Sequence, residues 1–266
     1  MTDLHAIASF VQSKLKDLLD KPTSAWPKEI QDTLKTDHLG PRVMEQQELR
    51  LRLSHGIACG RRQWYLHNEP QKQTNQSPGL VQLCKFSIGD LWEAYAHALL
   101  PHCMPDGWTY HDTDDHEVAI DDVTGHLDGV MVHKNGDVII VDAKHTSEFR
   151  IKKWANGMPD WEWGYRAQAT NYMWAVQGAI ARREWPFGGS RVIGFLWPAS
   201  YSQKFGLWDV AVGWAYESDQ ELKSYGKQVL RQYHDARTKT NPPQRWSESN
   251  ICRYCDFRDY CKGDLR

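Results

Sequence analysis

The sequence predicts an α/β protein. Three observations carry that prediction: two β-branched runs joined at Lys134-Asn135-Gly136, segments of helical apolar spacing on either side of them, and a length of 266 residues. A chain of that length buries a sizeable core and accommodates one large α/β domain with appendages, or two modest ones.

The elements follow in order. Leu4, Ile7, Ala8, Val11, Leu15, Leu18 and Leu19 have the spacing of an amphipathic helix from Leu4 to Leu19, which Pro22 and Pro27 stop. A short helix over about Lys28 to Lys35 ends before Gly40-Pro41, so residues 1–45 read as a helical arm. Leu49 to Leu66 contains Cys59, Arg61 and Arg62; a buried structural thiol and a solvated arginine pair are the default expectations. Gln71 to Gly79 is polar and reads as a loop. Ser87 is placed to N-cap a helix that Pro101 ends, with Ile88, Leu91, Trp92, Tyr95 and Leu99 as its apolar stripe. On another face of that helix Gly89, Glu93 and His97 recur every four residues. A helical glycine costs about 1 kcal/mol relative to alanine, so close packing is expected against Gly89.

The central feature is the hairpin. Val138 to Val141 is apolar on both faces, as a central strand is, yet it runs into Asp142 and Lys144. If the loop is Asn135-Gly136, Asp128 and Asp142 point to opposite faces. If it is Lys134-Asn135-Gly136, with Gly136 in the left-handed region, Asp128 sits across from Asp142 and shares a face with Lys144. Both loops suit the sequence. Two carboxylates opposed at roughly 5 Å repel unless a cation lies between them, so the second register implies a divalent metal site with an ammonium beside it.

Beyond the hairpin, Arg150, Lys152, Lys153 and Trp154 interleave cations with aromatics, followed by Trp161 and Trp163; such a surface suits a nucleic-acid strand, as well as a loop anchored by core tryptophans. A helix from about Glu162 to Arg183 carries Gln168 and Tyr172 one turn apart, able to contact a phosphate or sugar or to cap an interface. Arg191 to Trp197 and Phe205 to Val212 read as strands, and Ser218-Asp219-Gln220-Glu221 as a capping box opening a helix to about Arg237. Asn241-Pro242-Pro243 ends the main domain, here 46–240. Residues 241–266 hold Cys252, Cys255 and Cys261, three thiols for one soft-ligand centre that needs a fourth from elsewhere. Zinc and an iron-sulfur cluster both fit this spacing.

Composition bounds the function. A net charge of -2 argues against a uniformly basic nucleic-acid surface, though a local channel is compatible with it. No apolar run approaches the roughly 20 residues of a membrane span, and no basic-then-apolar segment opens the sequence. A cytoplasmic location without membrane contact is expected, with six cysteines that favour metal over disulfides in a reducing compartment. The phosphate loop of the Gly-x4-Gly-Lys-Ser/Thr type is absent, so the chain is no helicase by itself.

Gly89-x3-Glu93, Gly125-His126-Leu127-Asp128-Gly129, Asp142-Ala143-Lys144 and Gln168-x3-Tyr172 occur in the order found in the PD-(D/E)xK nuclease superfamily, in its RecB-like branch. One early cysteine with a terminal Cys-x2-Cys-x5-Cys resembles the iron-sulfur subset of that branch, which includes CRISPR-associated RecB-like exonucleases. The resemblance implies a restriction-endonuclease-like core, a mixed central sheet flanked by helices. It implies a DNA exonuclease using Mg2+ or Mn2+ in recombination, repair, phage DNA metabolism or CRISPR adaptation. Its DNA would be single-stranded or the end of a duplex, with a recombination or helicase protein as a further partner. Carried over by position, Asp128 and Asp142 bind metal, the Ala143 carbonyl assists, and Lys144 orients or activates the attacking water. Glu93 takes the helix position, where many relatives have histidine, so His97 is a further candidate ligand. Gln168 and Tyr172 would contact DNA, and Cys59, Cys252, Cys255 and Cys261 would hold a 4Fe-4S cluster, with zinc as the alternative. Leu127 replaces the usual proline, and Asp142 the commoner glutamate. A silent DNA-binding adaptor of the same fold and a zinc-stabilised endonuclease are the competing readings.

Overall fold

The computed structural model describes residues 3–19, 21, 25–30, 53, 59–73, 80–113, 116–149, 165–202, 208–213, 220–243, 252 and 255–263. The expected helix over Lys28 to Lys35, the loop after Gln73, the 150–164 segment and the capping residues Ser218 and Asp219 lie wholly or largely outside them.

Helix α1 spans Leu4–Leu19, as its periodicity predicts, with Leu4, Ile7, Val11 and Leu15 buried. Asp3 opens it by accepting from the His5 and Ala6 amides through Oδ1, at 3.0 and 3.2 Å. The Trp26 indole donates to the Leu18 carbonyl at its far end (2.8 Å). α2 covers Gly60–Asn68 and is followed by a 3-10 turn at Pro70–Lys72. α3 runs Leu80–Leu99 and continues into a 3-10 turn at Leu100–Cys103. Ser87 therefore lies inside this helix and does not cap it, because the turns before it are helical too.

Among the described residues eight strands follow: β1 Trp108–Asp112, β2 Glu117–Ile120, β3 Val123–His126, β4 Gly129–His133, β5 Asp137–Val141, β6 Lys144–His145, β7 Arg191–Ser202 and β8 Trp208–Gly213. The helices α4 (Tyr165–Arg182), α5 (Gln220–Thr238) and α6 (Arg258–Gly263) complete the described elements. β2 and β3 form a separate two-stranded hairpin. The other six strands build one mixed sheet in five positions, β1-β4-β5-β7-β8, with β6 resuming the line of β5 along the same edge of β7. β5 and β7 are parallel, as a crossover through α4 requires, and the remaining neighbours of this order are antiparallel.

The hairpin takes the three-residue loop. Val132 faces Val138 and Gly129 faces Val141, so the register carried one pair further sets Asp128 opposite Asp142. Gly136 has φ 92°, a conformation that side chains other than glycine's rarely adopt, and its amide closes the turn on the His133 carbonyl at 2.8 Å. Asn135 Oδ1 accepts from the Asp137 amide (2.9 Å), which locks the loop.

Alternation along the strands builds two cores. Met131, Ile139, Val141 and Ala143 face α1 and α3, packing with Trp92, Leu99 and Val11. Val130, Val138 and Ile140 face the other way, onto Tyr172 and Val176 of α4 and the β2-β3 hairpin. α1 is thus part of the first core. A third cluster joins α2, α5 and the cysteine-rich segment: the Tyr65 and Phe257 rings stack at 5.3 Å, and the Trp64 indole donates to the Lys239 carbonyl (2.9 Å). The arginine pair expected to be solvated serves this joint, with Arg61 donating to the Pro243 carbonyl (3.2 Å) and Arg62 pairing with Asp256 (3.1 Å).

Candidate active site

β5 and β6 are separated at Asp142-Ala143, and the reason is on the neighbouring strand. Val141 pairs with Leu196 and Lys144 with Ala199, so the register runs unbroken and sets Asp142 beside Trp197 and Ala143 beside Pro198. In a parallel ladder residue 142 donates to Leu196, which it does at 3.0 Å, and accepts from residue 198. Pro198 has no N–H, so that second bond cannot form and the ladder opens there. The Pro198 carbonyl accepts instead from the Trp92 indole (2.9 Å), which fixes α3 against the opening.

Asp142 stands in this gap with 3 % of its surface exposed. Lys144 Nζ is 2.5 Å from its Oδ2, a close ion pair. Gln168 on α4 donates to its Oδ1 at 3.1 Å. Across the hairpin, Asp128 accepts from the Ala143 amide through Oδ2 (2.6 Å). Burial first, and the Asp128 charge in addition, push the Asp142 carboxyl up to about 7, against the pull of Lys144 and of the Trp197 indole. Asp128, Asp142, Lys144 and Gln168 therefore meet on the α4 face of the sheet.

The other expected site residues sit on neighbouring elements. Glu93 is half-buried on α3, which packs on β6 from the first-core side. His97 sets Nδ1 against the Tyr110 hydroxyl (2.9 Å), with Asp112 at 3.5 Å; Tyr110 in turn reaches the Asp128 carbonyl at 3.5 Å. His97 thus touches Asp128 through Tyr110, a residue that no motif marks. Thr113 is another: its hydroxyl donates to the Leu127 carbonyl (2.8 Å) and holds the chain entering β4. Tyr172, expected on DNA, is 2 % exposed and packs beside Gly125, where an added Cβ would lie 2.8 Å from its ring. It is a core residue because the β2-β3 hairpin folds over that turn of α4. Gln168, likewise buried, orients Asp142. The close packing expected at Gly89 is not seen among the described residues, where a Cβ meets nothing within 4 Å. Lys152, Lys153 and Trp154 fall outside the described residues.

The donor chemistry fits a hard divalent cation. Two carboxylates oppose each other, one of them buried at a cost that a cation would relieve, and oxygen ligands suit Mg2+ or Mn2+. Among the described residues no group of three or more His, Cys, Asp and Glu side chains stands in metal-holding geometry, so Asp128 and Asp142 are the nucleus of such a site and not a finished cage.

Cys59 occupies the N-cap position of α2, and Cys255 feels its charge; burial foremost raises the Cys255 thiol. The Cys255 amide turns back to the Cys252 carbonyl at 3.5 Å, and the Cys261 amide bonds the Phe257 carbonyl (2.9 Å). Cys103 is buried in the first core, where desolvation pushes its thiol up to about 12. The Cys84 side chain lies outside the described set.

No helix among the described residues is long and apolar enough to cross a membrane. No curated protein matches the chain. A solved structure described as "Crystal structure of SSO0001" aligns over 90 % of this chain and 96 % of its own at 15 % identity, with a TM-score of 0.44. The sequence profile of the PD-(D/E)XK nuclease superfamily matches residues 2–262, nearly the whole chain, and its fold agrees with the mixed sheet and flanking helices described above. The chain belongs to the PD-(D/E)XK nuclease superfamily.

Proposed function

We propose that the chain is a Mg2+- or Mn2+-dependent DNA exonuclease of the RecB-like branch. The observation that carries the reading is the cross-strand pair: Asp128 and Asp142 face one another beside Lys144, in a ladder opened by Pro198. Asp128 and Asp142 would hold the metal, with the Ala143 carbonyl, and Glu93 is the candidate to join them from α3. When bound, a divalent cation supplies Lewis acidity at the scissile phosphate. Lys144 brings a positive charge to the developing oxyanion and orients the attacking water. Gln168 keeps the Asp142 carboxylate in one orientation, so that little reorganisation is needed when the phosphate arrives.

The second half of the proposal is a 4Fe-4S cluster on Cys59, Cys252, Cys255 and Cys261. Its support is the joint between α2 and the cysteine-rich segment, where Arg62 and Gln73 both reach Asp256. Cys59 is preferred to Cys103 because the latter belongs to a separate core. In that reading the cluster clips residues 241–266 to the nuclease core of residues 46–240, and the arm of residues 1–45 supports the sheet.

The test is cleavage of end-labelled linear DNA and of a covalently closed circle, with and without Mn2+, by anaerobically purified protein whose visible spectrum is recorded first. Manganese-dependent loss of the linear DNA alone, by brown protein, is expected, and Lys144→Ala should end it. Cutting of the circle would overturn the exonuclease reading, and a colourless, zinc-containing protein the cluster. DNA binding without cleavage would make the adaptor reading the better one.

A further inference from the structure

On the far flank of α4 lies a cavity of about 450 Å³, formed where α4 and α5 meet the tip of the β2-β3 hairpin. Its lining includes Trp174, Gly178 and Arg182 from α4, Lys227 and Leu230 from α5, and Asp121 from the hairpin turn. None of these belongs to the cluster around Asp142. One cation lies over the indole here and a second lines the same cavity. Lys227 Nζ stands 5.8 Å from the centre of the Trp174 ring, and Arg182, whose Nε is held by Glu184 at 2.7 Å, folds its Nη1 back over Gly178. A Cβ at Gly178 would come within 3.1 Å of that Nη1, so the missing side chain leaves the guanidinium its place. Asp121 is held at φ 53°, in the left-handed region, at the rim of the same cavity.

A cavity that combines an indole with two cations on flexible, exposed side chains suits a flat ring that carries an anionic group. The volume lies within the range of small-molecule sites. We propose that this cavity binds a nucleotide, with its base on the Trp174 indole and its phosphate at Lys227 and Arg182. Asp121 accepts hydrogen bonds and donates none when ionised, so the bases with an exocyclic amino group, cytosine, adenine and guanine, are favoured over thymine. The nucleotide has two possible sources. Trp174 and Arg182 follow Gln168 by six and fourteen residues on α4, or about 9 and 21 Å along its axis, a span of about three to six stacked nucleotides. A strand leading to Asp142 could therefore pass here, and a free nucleotide could enter from solvent. The proposal goes beyond the nuclease reading and does not depend on it.

Calorimetric titration in EDTA, where no cleavage occurs, separates the sources and the readings. The ligands are dCMP, dTMP and a short oligodeoxycytidine, titrated into the full chain and into Trp174→Ala, Trp174→Phe and Lys227→Met. Trp174→Ala is expected to weaken binding about tenfold, with Trp174→Phe near the wild type because its ring still stacks. Lys227 is exposed, so Lys227→Met should fold normally and weaken binding without a change in melting temperature. Loss of dCMP affinity in these variants assigns the cavity to free nucleotides; loss confined to the oligonucleotide assigns it to the strand. If dCMP and the oligonucleotide bind the Ala and Met variants as they bind the wild type, or bind none of the proteins, the proposal is overturned. Equal affinity for dCMP and dTMP would remove the role of Asp121.

Discussion

Replacing Asp142 with asparagine should make the protein more stable and inactive. The carboxyl is buried and its pKa rises from 3.8 to about 7. Between those values the unfolded chain has released the proton while the folded chain keeps it. Folding then takes up a proton, and stability falls as pH rises through that window. At 1.36 kcal/mol per pH unit the loss is about 4 kcal/mol at pH 8 relative to the protonated acid. Asparagine has the shape of that neutral acid, and the raised pKa already includes the attraction of Lys144, so Asp142→Asn should recover a similar amount. For a chain of this size that is a rise in melting temperature of roughly 8–16 °C at pH 8. Near pH 4 wild type and variant should melt together. Saturating Mg2+ should narrow the gap from the wild-type side, by about 2.7 kcal/mol at a hundred times its dissociation constant, and should not move the variant. The assay is calorimetric melting from pH 4 to 8, with and without Mg2+. A variant that melts lower than wild type at pH 8, or a difference that ignores pH, would refute the reasoning.

Other substitutions test single contacts. Gly89→Ala should raise stability by up to about 1 kcal/mol, since a helical glycine is replaced where a Cβ meets nothing among the described residues; a lowered denaturant midpoint would contradict it. Gly129→Ala should cost about 1–3 kcal/mol, because the new Cβ would run into the Tyr110 ring, and Tyr110→Ala in the same chain should recover part of that cost. Gln168→Leu removes the donor to Asp142 and should lower kcat on saturating DNA by about tenfold to a hundredfold; an unchanged kcat would show that Lys144 alone holds the carboxylate. Cys255→Ser should bleach purified protein and lower its melting temperature, whereas Cys103→Ser should leave the colour unchanged.

The hairpin was legible because Asn135-Gly136 between two β-branched runs marks a tight turn, but its register was not, since Gly136 supplies the positive φ that either loop needs. α1 was legible because a single stripe, Leu4, Ile7, Val11 and Leu15, carries its burial, with Phe10 left exposed. Tyr172 was misread for the opposite reason. One helical turn cannot say whether a second hairpin covers it, and β2-β3 does. The break at Asp142 also had a sequence signal, a proline in an otherwise apolar strand, but its meaning depends on which residue lies alongside. Pairing between β5 and β7 crosses about fifty residues and is not written locally. The roles of Tyr110 and Thr113 were hidden in the same way, since each acts on a backbone carbonyl, which carries no mark of identity.

The joint between α2 and the cysteine-rich segment has a consequence for how the chain is made. Arg62 and Asp256 are 194 positions apart, and Arg61 meets Pro243 across 182. During synthesis α2 emerges early and must wait, with Trp64 and Tyr65 uncovered, until nearly two hundred further residues have left the ribosome. Closing so long a loop is entropically costly and slow compared with forming the local hairpin around Gly136. The sheet can thus assemble first, and the clasp comes last, leaving a nascent chain with an exposed aromatic pair as the species most prone to capture by chaperones or to aggregation.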